Sequence, residues 1–190
     1  IDVIQPSQPF ASNASYRPGV DALRGTWMLG AVSELDAGYV FGRDSVAFAR
    51  LKGYFLSADW ELIGLSINEQ NQIVSLGTNG GLGSVGLWQE TAWLHDTLAD
   101  NYRVTLGFDY TLFDDLYVMN EVHYNGMGEA ENYFLNLSKP FYHLGAVVPQ
   151  GQWYNSTQFS YPINILLNLN VGATVNLTDA SMLLNTALNF

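Results

Sequence analysis

The chain has 190 residues, of which 7 are Lys or Arg and 18 are Asp or Glu, a formal net charge of −11. That balance excludes a nucleic-acid partner, which needs a basic footprint, and the lack of Cys excludes disulfides, thiolate metal sites and Cys nucleophiles. Charged residues make up 13% of the chain against 48% hydrophobic, about half the roughly 25% charge of soluble domains, and no run of about 18 apolar residues suits a transmembrane helix.

Residues 1–20 hold Pro6, Pro9 and Pro18 and read as a loop, since proline cannot donate to a strand ladder. After a short turn at 33–34, Leu35, Ala37, Tyr39 and Phe41 alternate with Asp36, Gly38, Val40 and Gly42, the two-residue period of a strand. A second short turn is expected at 57–58. The stretch 60–67 is ambiguous, because both of its faces carry apolar residues. Longer or more polar connections are expected at 68–71, at 95–101 and above all at 126–150. The Gly-rich run 77–86 has no helix pattern after it, so it predicts a turn and close strand approach and not a phosphate loop.

The clearest alternation spans 102–112. Tyr102, Val104, Leu106, Phe108, Tyr110 and Leu112 fall on one face, with Arg103, Thr105, Gly107, Asp109 and Thr111 on the other. A short turn at 113–115 leads to Leu116, Val118, Val122 and Tyr124, which alternate with Tyr117, Met119, Glu121 and His123; Asn120 interrupts the apolar side. Phe159 and Tyr161 then oppose Tyr154, Ser156, Gln158 and Ser160, before a short turn at 161–162. Residues 165–175 set Ile165, Leu167, Leu169, Val171, Ala173 and Val175 against Leu166, Asn168, Asn170, Gly172 and Thr174. The last segment sets Met182, Leu184, Leu188 and Phe190 against Leu183, Asn185, Ala187 and Asn189.

These segments predict about eleven strands of about ten residues each, the length a tilted strand needs to cross a bilayer. Short connections alternate with longer ones, and Trp27, Trp93, Tyr102, Tyr110, Tyr124, Trp153 and Tyr161 fall near segment ends. That is the arrangement of an all-β transmembrane antiparallel up-and-down β-barrel, with aromatic girdles at both interfaces. A soluble sandwich also alternates, but its polar face would carry Lys and Glu, whereas here it carries Asn, Thr, Ser and Gly. The domain expectation is a single barrel domain over 1–190, with 1–20 and 126–150 as extracellular loops. Bacterial barrels usually have even strand counts and periplasmic ends, so an odd count with an external start leads us to expect further strands in a larger barrel.

The runs YRPGVDALRG, YRVTLGFDYTL, EVHYNGMGE and ATVNLTDASMLLNTALNF resemble the C-terminal portion of porin-like outer-membrane proteins of Gram-negative bacteria. The resemblance extends from about Tyr16 onward and rests on strand and turn segments without chemical signatures. It implies the fold and the bacterial outer membrane, with lipid and lipopolysaccharide as surroundings, and it says little about cargo.

The candidate site residues are the inward ones: Arg24, Arg50, Lys52, Glu90, Arg103, Asp109, Glu121, His123, Asn168 and Asn170. Opposed charges across a pore order water and sort solutes; paired with one another, the same charges would brace a plugged wall. His123 and Glu121 share a face, and with Asp109 they could mimic a His–carboxylate pair. No Ser occupies a nucleophile motif, so the expectation is no catalysis. His95 with Asp96, and Glu129 with Glu131, are isolated pairs without ligand spacing, so neither a metal nor a cofactor is expected. The expected function is a porin-like channel for passive diffusion of small hydrophilic solutes. The alternative is a structural or anchoring barrel, a homo-oligomer or a holder of a surface protein, that binds through the aromatic loop with Tyr133, Phe134, Phe141 and Tyr142.

Overall fold

The two-residue alternation becomes one antiparallel sheet of eleven strands in the computed structural model, which describes residues 21–42, 44–113, 115–129, 139–143 and 150–190. The strands are β1 Asp21–Met28, β2 Glu34–Phe41, β3 Val46–Phe55, β4 Ala58–Ile67, β5 Asn71–Leu82, β6 Val85–His95, β7 Asp100–Leu112, β8 Leu116–Asn125, β9 Trp153–Asn164, β10 Leu167–Asn176 and β11 Met182–Asn189. Each pairs only with its neighbours in sequence, so the chain runs up and down throughout. One helical turn, α1 Pro140–His143, lies between β8 and β9. The expected closure into a barrel is not present among the described residues: β1 and β11 are the two edges of an open sheet. The expected loop at 1–20 lies outside the described residues.

From β3 onward, short connections alternate with longer ones as the segment pattern required; the first connection, 29–33, is longer than the second. At one end of the sheet they cover 29–33, 56–57, 83–84, 113–115 and 165–166. At the other end lie 42–45, 68–70, 96–99, 126–152 and 177–181. Leu56 and Ser57 both have positive φ (51° and 62°), the backbone of a two-residue turn matched to strand twist. Gly83 does the same work at φ 64°, where only glycine adopts the conformation without steric cost.

Two turns sit elsewhere than expected: the one at 33–34 covers 29–33, because Glu34 already pairs with Met28. The turn expected at 161–162 sits at 165–166, because Tyr161 and Pro162 are still within β9. The ladder tolerates Pro162 by slipping: Leu167 faces Asn164 while Asn168 faces Pro162, a bulge that passes over Ile163. The connection expected to be longer or more polar at 68–71 is polar and short, covering 68–70. Asn68 adopts a left-handed conformation, and its side chain accepts from the Ser45 amide and donates to Asp44 of the neighbouring connection, both at 2.9 Å.

The core sits on one face at the end of the sheet that bears the long connection. Val40, Val46, Phe48, Leu65, Ile67, Ile73, Ala92 and Leu94 from β2–β6 form a buried cluster with Met127, Phe141 and Tyr142 of the β8–β9 connection. The described part of that connection therefore folds back over the sheet. Its anchor is Asn125, which donates to the Tyr142 hydroxyl (3.1 Å) and accepts from the Met127 amide (3.2 Å). Lys139 donates to the Met127 carbonyl (2.9 Å) and pairs with Glu129 (3.3 Å). The ambiguity of residues 60–67 is thereby explained. Ile63, Leu65 and Ile67 face this cluster or its margin, while Trp60 and Leu62 belong to the opposite face.

Candidate functional site

Paired residues on adjacent strands share a face, so each face can be followed strand by strand. One rung runs Lys52, Glu61, Gly77, Glu90, Thr105 and His123. The next rung toward the long connection carries Asp36, Arg50, Ile63, Ser75, Ala92 and Arg103. The next rung the other way carries Tyr54, Asp59, Asn79, Trp88, Gly107 and Glu121. Asp109 follows one step further along this face, and Asn168 and Asn170 stand on it across β9 and β10. All the candidate residues, Arg24 included, thus occupy a single face.

The segregation of charge is nearly complete. Every Lys and Arg of the described strands stands on this polar face, as does every Asp and Glu except Asp21 and Asp100 at strand starts. The opposite face carries Leu51, Leu62, Leu76, Val104, Leu106 and Val122 through its middle. Toward the long connection it carries Tyr39, Trp93, Tyr102, Tyr124 and Trp153; toward the short turns it carries Trp27, Phe108, Tyr110, Phe159 and Tyr161. These side chains are not a core: Leu106 is 56% exposed and Leu23 71%. Asn120, which interrupts the apolar pattern, hydrogen-bonds Thr157 (2.7 Å) and exchanges bonds with Asn155 (3.2 Å), so its amide is satisfied within the sheet.

The polar face is cross-braced between strands. Arg24 clamps Asp36 through two nitrogens, at 2.8 and 2.6 Å, and Asp36 is only 2% exposed. Lys52 pairs with Glu34 (3.1 Å) and Arg50 with Glu61 (3.4 Å). Arg103 lies within electrostatic reach of Glu90, His123 and Tyr142. Beyond β8 the charges stop, and hydroxyls and amides replace them: Ser156 with Thr174 (3.0 Å), and Ser160 donating to Asn168 (3.2 Å).

Glu121 and His123 share the face as expected, yet no hydrogen bond joins them. Glu121 accepts from the Trp88 indole (3.0 Å), His123 bonds Thr105 (2.9 Å), and Asp109 accepts from Tyr117 (3.2 Å). His95 pairs with Asp100 at 2.6 Å, while Asp96 accepts the Leu98 and Ala99 amides of its own turn. Among the described residues no group of three or more metal-ligating side chains converges. The aromatic surface expected of the long connection is corrected in part. Phe141 (0% exposed) and Tyr142 (7%) are buried against the sheet, because the apolar end of the polar face needs covering; Tyr133 and Phe134 lie outside the described residues.

Sequence reading missed Tyr54, Asp59, Asn79 and Trp88. The signal was present: Trp88 has the parity of Glu90, and Tyr54 that of Lys52. Comparison with protein families, with curated proteins and with solved structures finds no match.

Proposed function

We propose that this sheet is the wall of a porin-like β-barrel in the bacterial outer membrane, passing small hydrophilic solutes by passive diffusion. The observation that carries the reading is the inversion of the sheet. Its apolar face is open and banded by aromatic residues at both ends, while its charges are gathered on the face that the long connection partly covers. In water such a face would drive association; against acyl chains and lipopolysaccharide it is matched to its surroundings. Lipid does not tolerate unpaired strand edges, so in a bilayer β1 and β11 pair with each other or with further strands.

The polar face supplies charges and amides that order water, and most of its carboxylates are engaged: Glu34 by Lys52, Asp36 by Arg24, Glu61 by Arg50, Asp109 by Tyr117 and Glu121 by Trp88. The burial of Phe141 and Tyr142 removes two of the aromatic anchors on which a partner-holding role would rest. The test is reconstitution into planar bilayers, preceded by electrophoresis with and without boiling. We expect a heat-modifiable β-rich band and stepwise conductance. A folded, inserted protein that passes no ions, or a water-soluble monomer without detergent, refutes the reading.

A further inference from the structure

We infer that the polar face carries a subsite for a short saccharide, built on the rung Tyr54, Asp59, Asn79 and Trp88. This rests on the channel reading and names the solute class. The four residues are consecutive register partners on β3, β4, β5 and β6, so the backbone positions of Tyr54 and Trp88, whose indole reaches on over Gly107 of β7, stand three strand spacings apart, roughly 14 Å. That is the span of two or three linked sugar rings. An open cleft of about 850 Å³ lies along the rung, with Gly77 in its floor and Glu61 and Glu90 beside it.

Trp88 is prepared for stacking. Its indole lies against Gly107, where a Cβ would overlap the ring, and its Nε1 donates to Glu121 at 3.0 Å. The ring is therefore packed on one side and its polar edge is already satisfied, and the residue still lines the cleft. An apolar ring face of this kind takes the C–H face of a sugar, and the few polar groups beside it then set orientation. Tyr54, 52% exposed, offers the second platform. Between them Asp59 supplies acceptors, Asn79 both donors and acceptors, and Lys52 a donor at the cleft margin. Sugar hydroxyls need both kinds.

An organic cation is the rival occupant, because the cleft holds carboxylates. Glu61 is matched by Arg50 and Glu90 lies beside Arg103, while among the described residues no ion pair reaches Asp59. That residual charge is small for a cation site and suits a neutral polyhydroxyl solute.

The test is tryptophan fluorescence of the full chain in detergent, titrated with lactose and, separately, with spermidine; liposome swelling runs in parallel. Saturable lactose binding is expected, weakened about tenfold or more by Trp88→Ala and by Tyr54→Ala and retained in Trp88→Tyr. Tyr54 is exposed, so its variant folds even where Trp88→Ala does not, and heat-modifiable migration checks both. Conductance without saturable lactose binding overturns the subsite and leaves the channel standing. Saturable lactose binding without solute passage upholds the subsite and removes the channel. Binding of spermidine alone, lost in the same variants, overturns the saccharide assignment.

Discussion

Gly107 is bare because the Trp88 indole occupies the place where a side chain would go. Gly107→Ala pushes the ring away from Glu121, and overpacking of this kind costs about 1–3 kcal/mol. We expect a shifted tryptophan emission and a lowered urea midpoint; an unchanged spectrum would show that the indole does not rest there. Asp36 is the converse case, a buried carboxylate whose two oxygens are filled by Arg24. Asp36→Asn keeps the shape and removes the charge. Because Arg24 itself is exposed, water screens the pair and the loss is modest. Urea unfolding of the wild type and variant measures it.

At the scale of the element, the described part of the β8–β9 connection docks on the sheet, and its seat is Phe141. Phe141→Ala removes the largest fully buried side chain of the cluster, where such truncations cost about 3–5 kcal/mol. The strands keep their ladders, so the loss falls on docking. Limited proteolysis is expected to cut within 126–150 faster in the variant while the heat-modifiable band persists. Tyr142 adds a pH dependence, because burial raises its hydroxyl above the ordinary tyrosine value. A docked tyrosine with a raised pKa holds its proton longer than a released one. Its contribution is therefore intact below about pH 10 and fades as pH climbs through the raised value. Cleavage of the connection that accelerates above that pH, in step with tyrosinate absorbance, is the expected outcome.

For the whole molecule, the proposed membrane setting turns on which face would meet lipid. Leu106 lies at the middle of β7 on the open apolar face, and Thr105 is its neighbour on the polar face. Leu106→Lys is expected to cost about 2–4 kcal/mol when the protein folds into vesicles, and Thr105→Lys to cost little. Equal tolerance of the two changes, measured by folding yield into lipid, would count against the membrane assignment. Several polar groups of the apolar face bond within the sheet, as a bilayer would require: Asn120, Asn155 and Thr157 satisfy one another, and Gln89 bonds Thr91 and the Leu76 carbonyl.

The strand content, the up-and-down order and the strand parity of residues such as Arg103, Asp109, Glu121, His123, Asn168 and Asn170 were legible in the sequence, because a period of two assigns parity without reference to neighbours. Arg103, Asp109, Glu121 and His123 could be placed on one side from residues 102–124 alone. Register was not legible, since it depends on where each turn closes, and Pro162 shifted one turn by forcing a bulge instead of an ending. Only the tertiary structure decided that Ile63, Leu65 and Ile67 lie under a folded-back connection, that Glu121 serves Trp88 and not His123, and that Tyr54 and Trp88 flank one cleft. Parity is local to a strand. Contacts between strands four or more apart, or between a strand and a distant connection, follow from how the sheet is paired and covered, and no single segment encodes that.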